Sequence, residues 1–320
     1  MIPKCSIIIR SFNEEKHIGR LLEGIGKQTL YPQLELILVD SGSTDLTAEI
    51  ARNAGVKVVN IKPEDFSFGR ALNIGCQAAS GKYLLFASAH VYPLYTDWVE
   101  KMIAPFEKER VALVYGRQVG NEITKYSEEQ LFKKWFPSVS NYDQRIPFCN
   151  NANAVIRKSL WEEQPYDEQL TGLEDLDWAT RIMKKGYSVA YESSATIVHV
   201  HEESVSRIRN RYRREAIALK NIYPNERFTF FSFIRLSVGN VWADSIHALH
   251  DGKFFKELSS IVAFRVLQFW GTYQGYRQKF QPDETLRMRF YYPNDFKDKL
   301  FKKKEQNTSN ELGEKIIYSS

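Results

Sequence analysis

The chain has 320 residues, 43% of them hydrophobic and 13% aromatic, with a net charge of +5. That length suits one large domain with an extension, or two domains, and so mild a charge does not point to nucleic acid as a partner. Cys5, Cys76 and Cys149 lie far apart with no C-x-x-C spacing, which excludes a zinc ribbon or disulfide framework and predicts buried thiols in a reducing, cytoplasmic compartment.

The N-terminus runs straight into a strand-like segment, so no signal peptide is expected. Residues 6–9 form a short apolar run of the kind found in fully buried strands. Residues 14–25 carry Ile18, Leu21, Leu22 and Ile25 at helical spacing. A second buried strand is predicted at 34–39, then the polar run 40–45 and a helix at 47–53. Strand 56–61, helix 72–79 and strand 83–87 follow. Strands alternating with helices imply βαβ units: an α/β, Rossmann-like domain whose mainly parallel sheet is flanked by helices. In such sheets ligands bind beyond the carboxyl ends of the strands. The polar residues at those ends are Arg10, Ser11, Asn13 and Glu14, then Asp40 to Asp45, then Ser88 and His90, and later Asn150, Asn151 and Asn153 before a strand-like 154–156. Neither G-x-G-x-x-G nor a Walker loop stands at the first strand–helix junction, which argues against a dinucleotide oxidoreductase or a P-loop NTPase.

Further along, Gly172-Leu173-Glu174-Asp175-Leu176-Asp177-Trp178 crowds three acids beside apolar residues. On a helix Glu174 and Asp177 share a face with Arg181, while Asp175 is turned away. Gly172 is expected to supply a sharp entry, and acids in a first turn suit the helix dipole. From about residue 205 the alternation stops. Ile208, Tyr212, Ala216 and Leu219 have helical spacing, and two more helices are predicted at 230–249 and 254–278. Their apolar runs are interrupted by Arg235 and Arg265 and are too short to span a bilayer. Beyond Pro293 the chain is Lys-rich, then polar, and is expected to be mobile. The predicted organisation is a domain at 1–204, a helical C-terminal region at 205–292 and a basic tail at 293–320.

Together, residues 6–15 (Ser-Ile-Ile-Ile-Arg-Ser-Phe-Asn-Glu-Glu), residues 39–45 (Val-Asp-Ser-Gly-Ser-Thr-Asp) and the Glu174-Asp175 element resemble family 2 glycosyltransferases of the GT-A fold, over roughly residues 4–202. Residues 148–154 and 174–179 resemble the bacterial rhamnosyltransferase-type members that build surface polysaccharides such as capsule or O-antigen. The resemblance implies a nucleotide-sugar donor, a glycan or polyprenol-linked acceptor and inversion in a single displacement. It implies that Asp40 meets the nucleobase or ribose, that Ser11, Asn13, Glu14 and Ser41 line the base pocket, and that Asp45 supports that loop. It implies that Asp175 is the general base, since an acceptor hydroxyl must lose its proton as it attacks the anomeric carbon. Glu174 would then tune Asp175 by like-charge proximity, and Asn150, Asn151, Asn153, Asp177 and Trp178 would meet the acceptor. Asp45, Asn13 and Glu14 would serve equally well as helix caps, and the three asparagines as turn formers.

Two departures stand out. Family members carry Asp-x-Asp after the fourth strand to hold a divalent cation, Mn²⁺ or Mg²⁺, and this chain has Ser88-Ala89-His90. The departing nucleoside diphosphate still needs its charge stabilised. Either His90 ligates a cation together with His199 or His201, or protonated His90 and nearby basic groups replace it, or the donor leaves with less charge. For His201 a simple hydrogen bond at a polar strand end is the expectation. The second departure is at 66–73, where Arg70 stands two residues before the family's arginine position. Arg70 either reaches the diphosphate or makes a surface salt bridge.

Arg207, Arg211 and Arg214 are spaced to share one helix face, which predicts docking on an anionic membrane surface and peripheral attachment to the inner face of the cell membrane. Intramolecular packing is the competing expectation. Two other functions remain open on sequence alone. One is a non-catalytic carbohydrate-binding or scaffolding relative that lost chemistry with the Asp-x-Asp. The other is a nucleotidyltransferase, against which the absence of a Gly- and Arg/Lys-rich first loop counts.

Overall fold

The computed structural model describes residues 2–279 and 290–291. Its first half is built as the apolar pattern dictates: β1 (Cys5–Ser11), α1 (Glu15–Gly26), β2 (Leu34–Asp40), α2 (Thr47–Asn53), β3 (Lys57–Asn60), α3 (Phe68–Ala78) and β4 (Tyr83–Ser88). β1 pairs in parallel with both β2 and β4, and β2 with β3. α3 begins four residues before its predicted start because the Ser67 hydroxyl caps it, accepting from the Arg70 backbone N–H at 3.2 Å.

The second half changes the character of the sheet. β5 (Val91–Pro93), α4 (Trp98–Ile103), β6 (Val111–Val119), α5 (Tyr126–Trp135), β7 (Asn141–Gln144), β8 (Asn153–Arg157), α6 (Lys158–Glu163), α7 (Glu174–Lys184) and β9 (Ser188–His199) follow in order. The strand order is β3-β2-β1-β4-β8-β6-β9-β5, with β7 beside β9. β8 runs antiparallel to β4 and β6, β5 and β7 run antiparallel to β9, and only β6–β9 restores a parallel pair. The sheet is therefore mixed, parallel on the β1–β4 side and largely antiparallel beyond it. A reversal at β8 has a positional consequence. It brings the amino end of β8 to the same edge as the carboxyl ends of β1, β2, β4, β6 and β9.

β1 shows how both faces are covered. Ile7 and Ile9 pack with α1 and α4 residues such as Leu21 and Trp98, while Ile8 packs on the other face with Leu72 and Trp178. A near-continuous apolar run is what a strand covered on both sides requires. Gly75 in α3 permits the close approach, since a Cβ there would lie 2.4 Å from the Ile8 side chain.

Three helices complete the described chain: α8 (Val205–Ile222), α9 (Phe230–His250) and α10 (Phe254–Arg277). By contacts, the chain up to Tyr276 forms one compact unit that includes the sheet and these helices. α10 lies hard against α8 at Gly271 and Gly275, where added Cβ atoms would sit 2.4 Å and 2.5 Å from the Arg209 and Arg213 carbonyl oxygens. α9 and α10 are joined around a buried ion pair, Arg265 Nε to Asp244 Oδ2 at 2.7 Å. Arg265 also donates to the Ser127 carbonyl, and the Tyr126 hydroxyl donates to Asp251 at 2.7 Å, so α5 is fastened to the hairpin at two points. No helix among the described residues is long and apolar enough to cross a membrane. The predicted basic tail at 293–320 lies outside the described residues.

Two of the three arginines on the predicted face of α8 turn inward. Arg211 is held by Glu128 at 2.9 Å and Glu203 at 2.7 Å. Arg214 lies over the Phe68 ring at 4.5 Å, and its carbonyl accepts from the Thr171 hydroxyl. Intramolecular packing accounts for these two arginines.

Candidate active site

The loops after β1 and β2 are stapled together by the residues expected to line a base pocket. Asp40, at the carboxyl end of β2, is buried and accepts from the backbone N–H groups of Gly42 and Ser43 and from the Ser11 hydroxyl at 3.3 Å. The Ser41 hydroxyl donates to the Ser11 carbonyl at 2.9 Å. Asn13 adopts a left-handed φ of 53° and accepts from the Thr44 N–H, while its own N–H reaches the Ser43 hydroxyl. Asp45 caps α2 through the Thr47 N–H and also accepts from the Glu15 N–H at the start of α1. Burial opposes ionisation of Asp45, but the bonds from Thr47 and Glu15 outweigh it and lower its pKa. In this structure Asp45 is a cap and a cross-link.

A second group of residues surrounds Asp175. α7 is entered through Leu173, the residue before its first turn, whose φ of 56° makes the sharp entry that the sequence suggested for Gly172; Gly172 has an ordinary φ and instead lies beside Arg214. The entry leaves Glu174 and Asp175 in the first turn, both buried. Glu174 meets Arg10 from the end of β1 at 3.3 Å. Asp175 accepts from the Asn151 N–H at 3.0 Å and the Leu176 N–H at 2.8 Å. Burial, and then the charge of Glu174, push the Asp175 pKa up to about 7 against the pull of those N–H groups and of Arg10. Asn151 is buried, and neither of its side-chain polar atoms has a protein partner. A buried amide with nothing to bond costs on the order of 1–3 kcal/mol.

The third group is a cluster of imidazoles. His90 follows β4, His199 ends β9, and His201 lies two residues on; their ligand-type atoms are all within 4.8 Å of one another. Each Nδ1 is matched to an oxygen: His90 to Glu14 at 2.7 Å, His199 to Gln118 at 2.8 Å, His201 to Glu128 at 2.7 Å. Metal-binding histidines show this pattern, in which an acceptor fixes Nδ1–H and leaves the Nε2 lone pair outward. Nε2 of His199 and of His201 stand 2.9 Å apart. With both Nδ1 atoms protonated, these are two acceptors face to face, an arrangement that a shared cation or proton relieves. Burial, and then the neighbouring charges of His201, His90 and Arg211, hold His199 well below its usual pKa, so it is neutral and ligand-ready. The residues therefore fit a divalent cation bound by three imidazoles. The sequence offered His201 as an alternative second ligand but favoured a simple hydrogen bond for it; the structure brings it into the cluster, with its Nδ1 on Glu128, a residue the sequence did not single out. The two-residue spacing from His199 puts both side chains on one strand face, which is the sequence signal for the pair.

Several expected residues are placed elsewhere. Trp178 is fully buried, with its indole N–H donated to the Gln164 carbonyl, and belongs to the core. Asn153 is spent internally: its amide donates to the Arg117 and Ala195 carbonyls and accepts from Trp98. Asp177 pairs with Arg181 at 2.8 Å, as the i,i+4 spacing predicts. Arg70 is exposed, with its ion-pair partner Asp65 at 3.9 Å, so the surface salt bridge describes it better than a diphosphate contact. Ser88 ends β4 opposite Arg10, half-buried, and the Asn150 side chain accepts from the Ala152 N–H as a turn former. Arg10, by contrast, links the groups, since it adjoins Ser11 and Asp40 on one side and Glu174 and Asp175 on the other.

A mixed sheet with one polar edge, a nucleotide-type loop pair and a buried acid defines a GT-A glycosyltransferase architecture, and the comparisons agree. Residues 6–164 match the model of Glycosyl transferase family 2, and the chain belongs to that family. The O-antigen chain rhamnosyltransferase RfbN of Salmonella typhimurium is 26% identical over 211 residues, covering 62% of this chain and 67% of that protein. Glycosyltransferase AglE of Haloferax volcanii is 27% identical over 202 residues, 59% of this chain and 64% of its own. Among solved structures, the mannosyltransferase PcManGT from Pyrobaculum calidifontis, in complex with GDP-Man and Mn2+, superposes with a TM-score of 0.57 at 17% identity, covering 92% of this chain and 88% of that one. The chain is a family 2 glycosyltransferase, which removes the nucleotidyltransferase alternative.

Proposed function

We propose that this chain is an inverting transferase that moves a hexosyl or deoxyhexosyl group from a nucleotide sugar to a hydroxyl of a glycan or polyprenol-linked acceptor, in assembly of a surface polysaccharide of the O-antigen or capsule kind. The observation that carries the reading is Asp175: a buried carboxyl on two backbone N–H groups, its pKa raised to about 7, beside an unpartnered Asn151 amide. A base of that strength can take the acceptor proton as the new bond forms. One carboxylate acting as base, with no covalent intermediate, inverts the anomeric centre. The Asn151 amide is well placed to bond a sugar hydroxyl, and Asp40 and Ser11 remain the proposed contacts to the nucleoside. The names of the Salmonella relatives favour a deoxyhexose and a polysaccharide acceptor.

A divalent cation, where bound, would be held by the Nε2 atoms of His90, His199 and His201, and would neutralise the departing diphosphate. An all-imidazole set suits zinc or cobalt better than manganese or magnesium. The three buried, unpaired cysteines fit a cytoplasmic setting. The deciding experiment follows transfer from an α-linked nucleotide sugar by NMR. A β-linked product, made by the wild type and almost lost in Asp175→Asn with donor binding intact, is the expected result. Retention of the α configuration, or near-normal turnover by the variant, would overturn the proposal.

A further inference from the structure

The α9–α10 hairpin is built inside out. Its interior holds the Asp244–Arg265 ion pair and Gln268, bonded to Arg265 at 2.9 Å. Its outer face carries Phe231, Val238, Trp242 and Leu249 on α9, which are 64–73% exposed, and Phe255 on α10, which is 93% exposed. Steps of seven, four and seven residues put the four α9 side chains on one stripe, and Val262 continues the α10 stripe seven residues after Phe255. Single exposed apolar residues need no explanation, but a contiguous aromatic and aliphatic face does.

We propose that this face docks on an anionic lipid surface, with the hairpin lying in the plane of the headgroups. Charge selects that occupant. The exposed cations of the hairpin are Arg235, Lys253, Lys256 and Arg277. Of its acids, Asp251 is engaged by the Tyr126 hydroxyl, and Glu257 is largely covered beside Lys256 at 3.9 Å. A second copy docking face to face would set those cations against a surface with almost no acid to receive them, whereas phosphate headgroups complement them and the rings enter the acyl boundary. The sequence after α10 adds Lys297, Lys299, Lys302, Lys303 and Lys304 in eight residues, the polybasic composition that accompanies such helices. The hairpin is also fixed relative to the chemistry. It is bolted to α5 by Arg265 and Tyr126, and Glu128 of α5 is bonded to His201. Docking would therefore hold the catalytic edge at one height above the bilayer, where a lipid-linked acceptor presents its sugar. The inference stands on this face alone and not on the identity of donor or acceptor.

Flotation of the full chain with phosphatidylcholine vesicles, with and without phosphatidylglycerol, tests it. The wild type should float with the anionic vesicles only. Trp242→Glu with Phe255→Glu should lower the partition coefficient at least about tenfold, and Lys253→Glu or Lys256→Glu about fivefold each at low salt. To guard against misfolded variants, Trp242→Cys carrying an environment-sensitive dye should shift to the blue when anionic vesicles are added. Failure of the wild type to float, or an unshifted dye, would overturn the proposal. So would a wild-type dimer that ignores vesicles and is broken by Trp242→Glu, since the face would then belong to a second copy.

Discussion

A carboxylate serves as a general base only if it is ionised when the acceptor arrives and basic enough to take its proton, and Asp175 sits between those demands. Burial and Glu174 raise its pKa to about 7, while the Asn151 and Leu176 N–H groups and Arg10 keep it ionisable. Two measurements follow from that balance. The rate kcat/KM should rise about tenfold per pH unit below about pH 7 and level off above it, as expected of a single essential base. Asp175→Asn should lower kcat by about 10²- to 10⁴-fold with the donor KM little changed; a flat pH profile would remove Asp175 from the chemistry. Stability gives a separate readout. A folded-state pKa of about 7 against an unfolded value of about 3.9 means that Asp175 favours folding at low pH, and that this contribution is lost as pH rises toward 7. Relative to the wild type, the asparagine variant should therefore gain Tm between pH 5 and pH 8. The acid was legible from its neighbours in sequence. The turn was not, because left-handed backbone ordinarily calls for glycine or asparagine and the chain places Leu173 there beside a glycine that does not need it.

At the level of elements, Glu128 joins three of them. It lies on α5, accepts from His201 beyond β9, and meets Arg211 of α8. In sequence it reads as an acid in the first turn of an amphipathic helix; its histidine partner is 73 residues away, beyond what local pattern can register. Removing one member of a buried charged set costs about 3–5 kcal/mol because the other charge is left unpaired, and loss of an acceptor behind a metal-binding histidine costs about 10–100-fold in affinity. Glu128→Ala is expected to show both, by calorimetric unfolding and by cation titration. Burial opposes its ionisation, but the bonds and charges of His201 and Arg211 prevail and lower the Glu128 pKa to about 2. That contribution is present above about pH 4.3 and is lost as pH falls toward 2. Gly271→Ala offers a control where α10 packs against α8, away from the Glu128 set. It forces a Cβ onto the Arg209 carbonyl and should cost about 1–3 kcal/mol by overpacking without altering the affinity of the histidines for a cation.

Across the whole molecule, the β1–β4 half was readable because each strand is an apolar run covered on both faces and each crossover is a periodic helix. β8 hides its reversal: Asn153-Ala154-Val155-Ile156 looks the same parallel or antiparallel, and its direction is fixed by β4 and β6 on either side. That reversal delivers Asn151 to Asp175 and completes an edge that β1, β2, β4, β6 and β9 share with the three histidines. Convergence of three imidazoles from two chain segments yields the last prediction. Nε2 lone pairs bind borderline and softer divalent ions, whereas magnesium prefers oxygen. Zinc at about 100 times its Kd should therefore raise stability by about 2.7 kcal/mol, read as a Tm increase that EDTA reverses. Magnesium at the same concentration should leave Tm unchanged. His201→Ala should remove most of the increase, because two imidazoles hold a cation far less well than three. Equal stabilisation by magnesium, or an increase that survives His201→Ala, would place the cation on other ligands. A Tm rise from nucleotide sugar that ignores EDTA altogether would instead assign charge neutralisation at the leaving diphosphate to Arg10 and its basic neighbour Arg214 across the Phe68 ring.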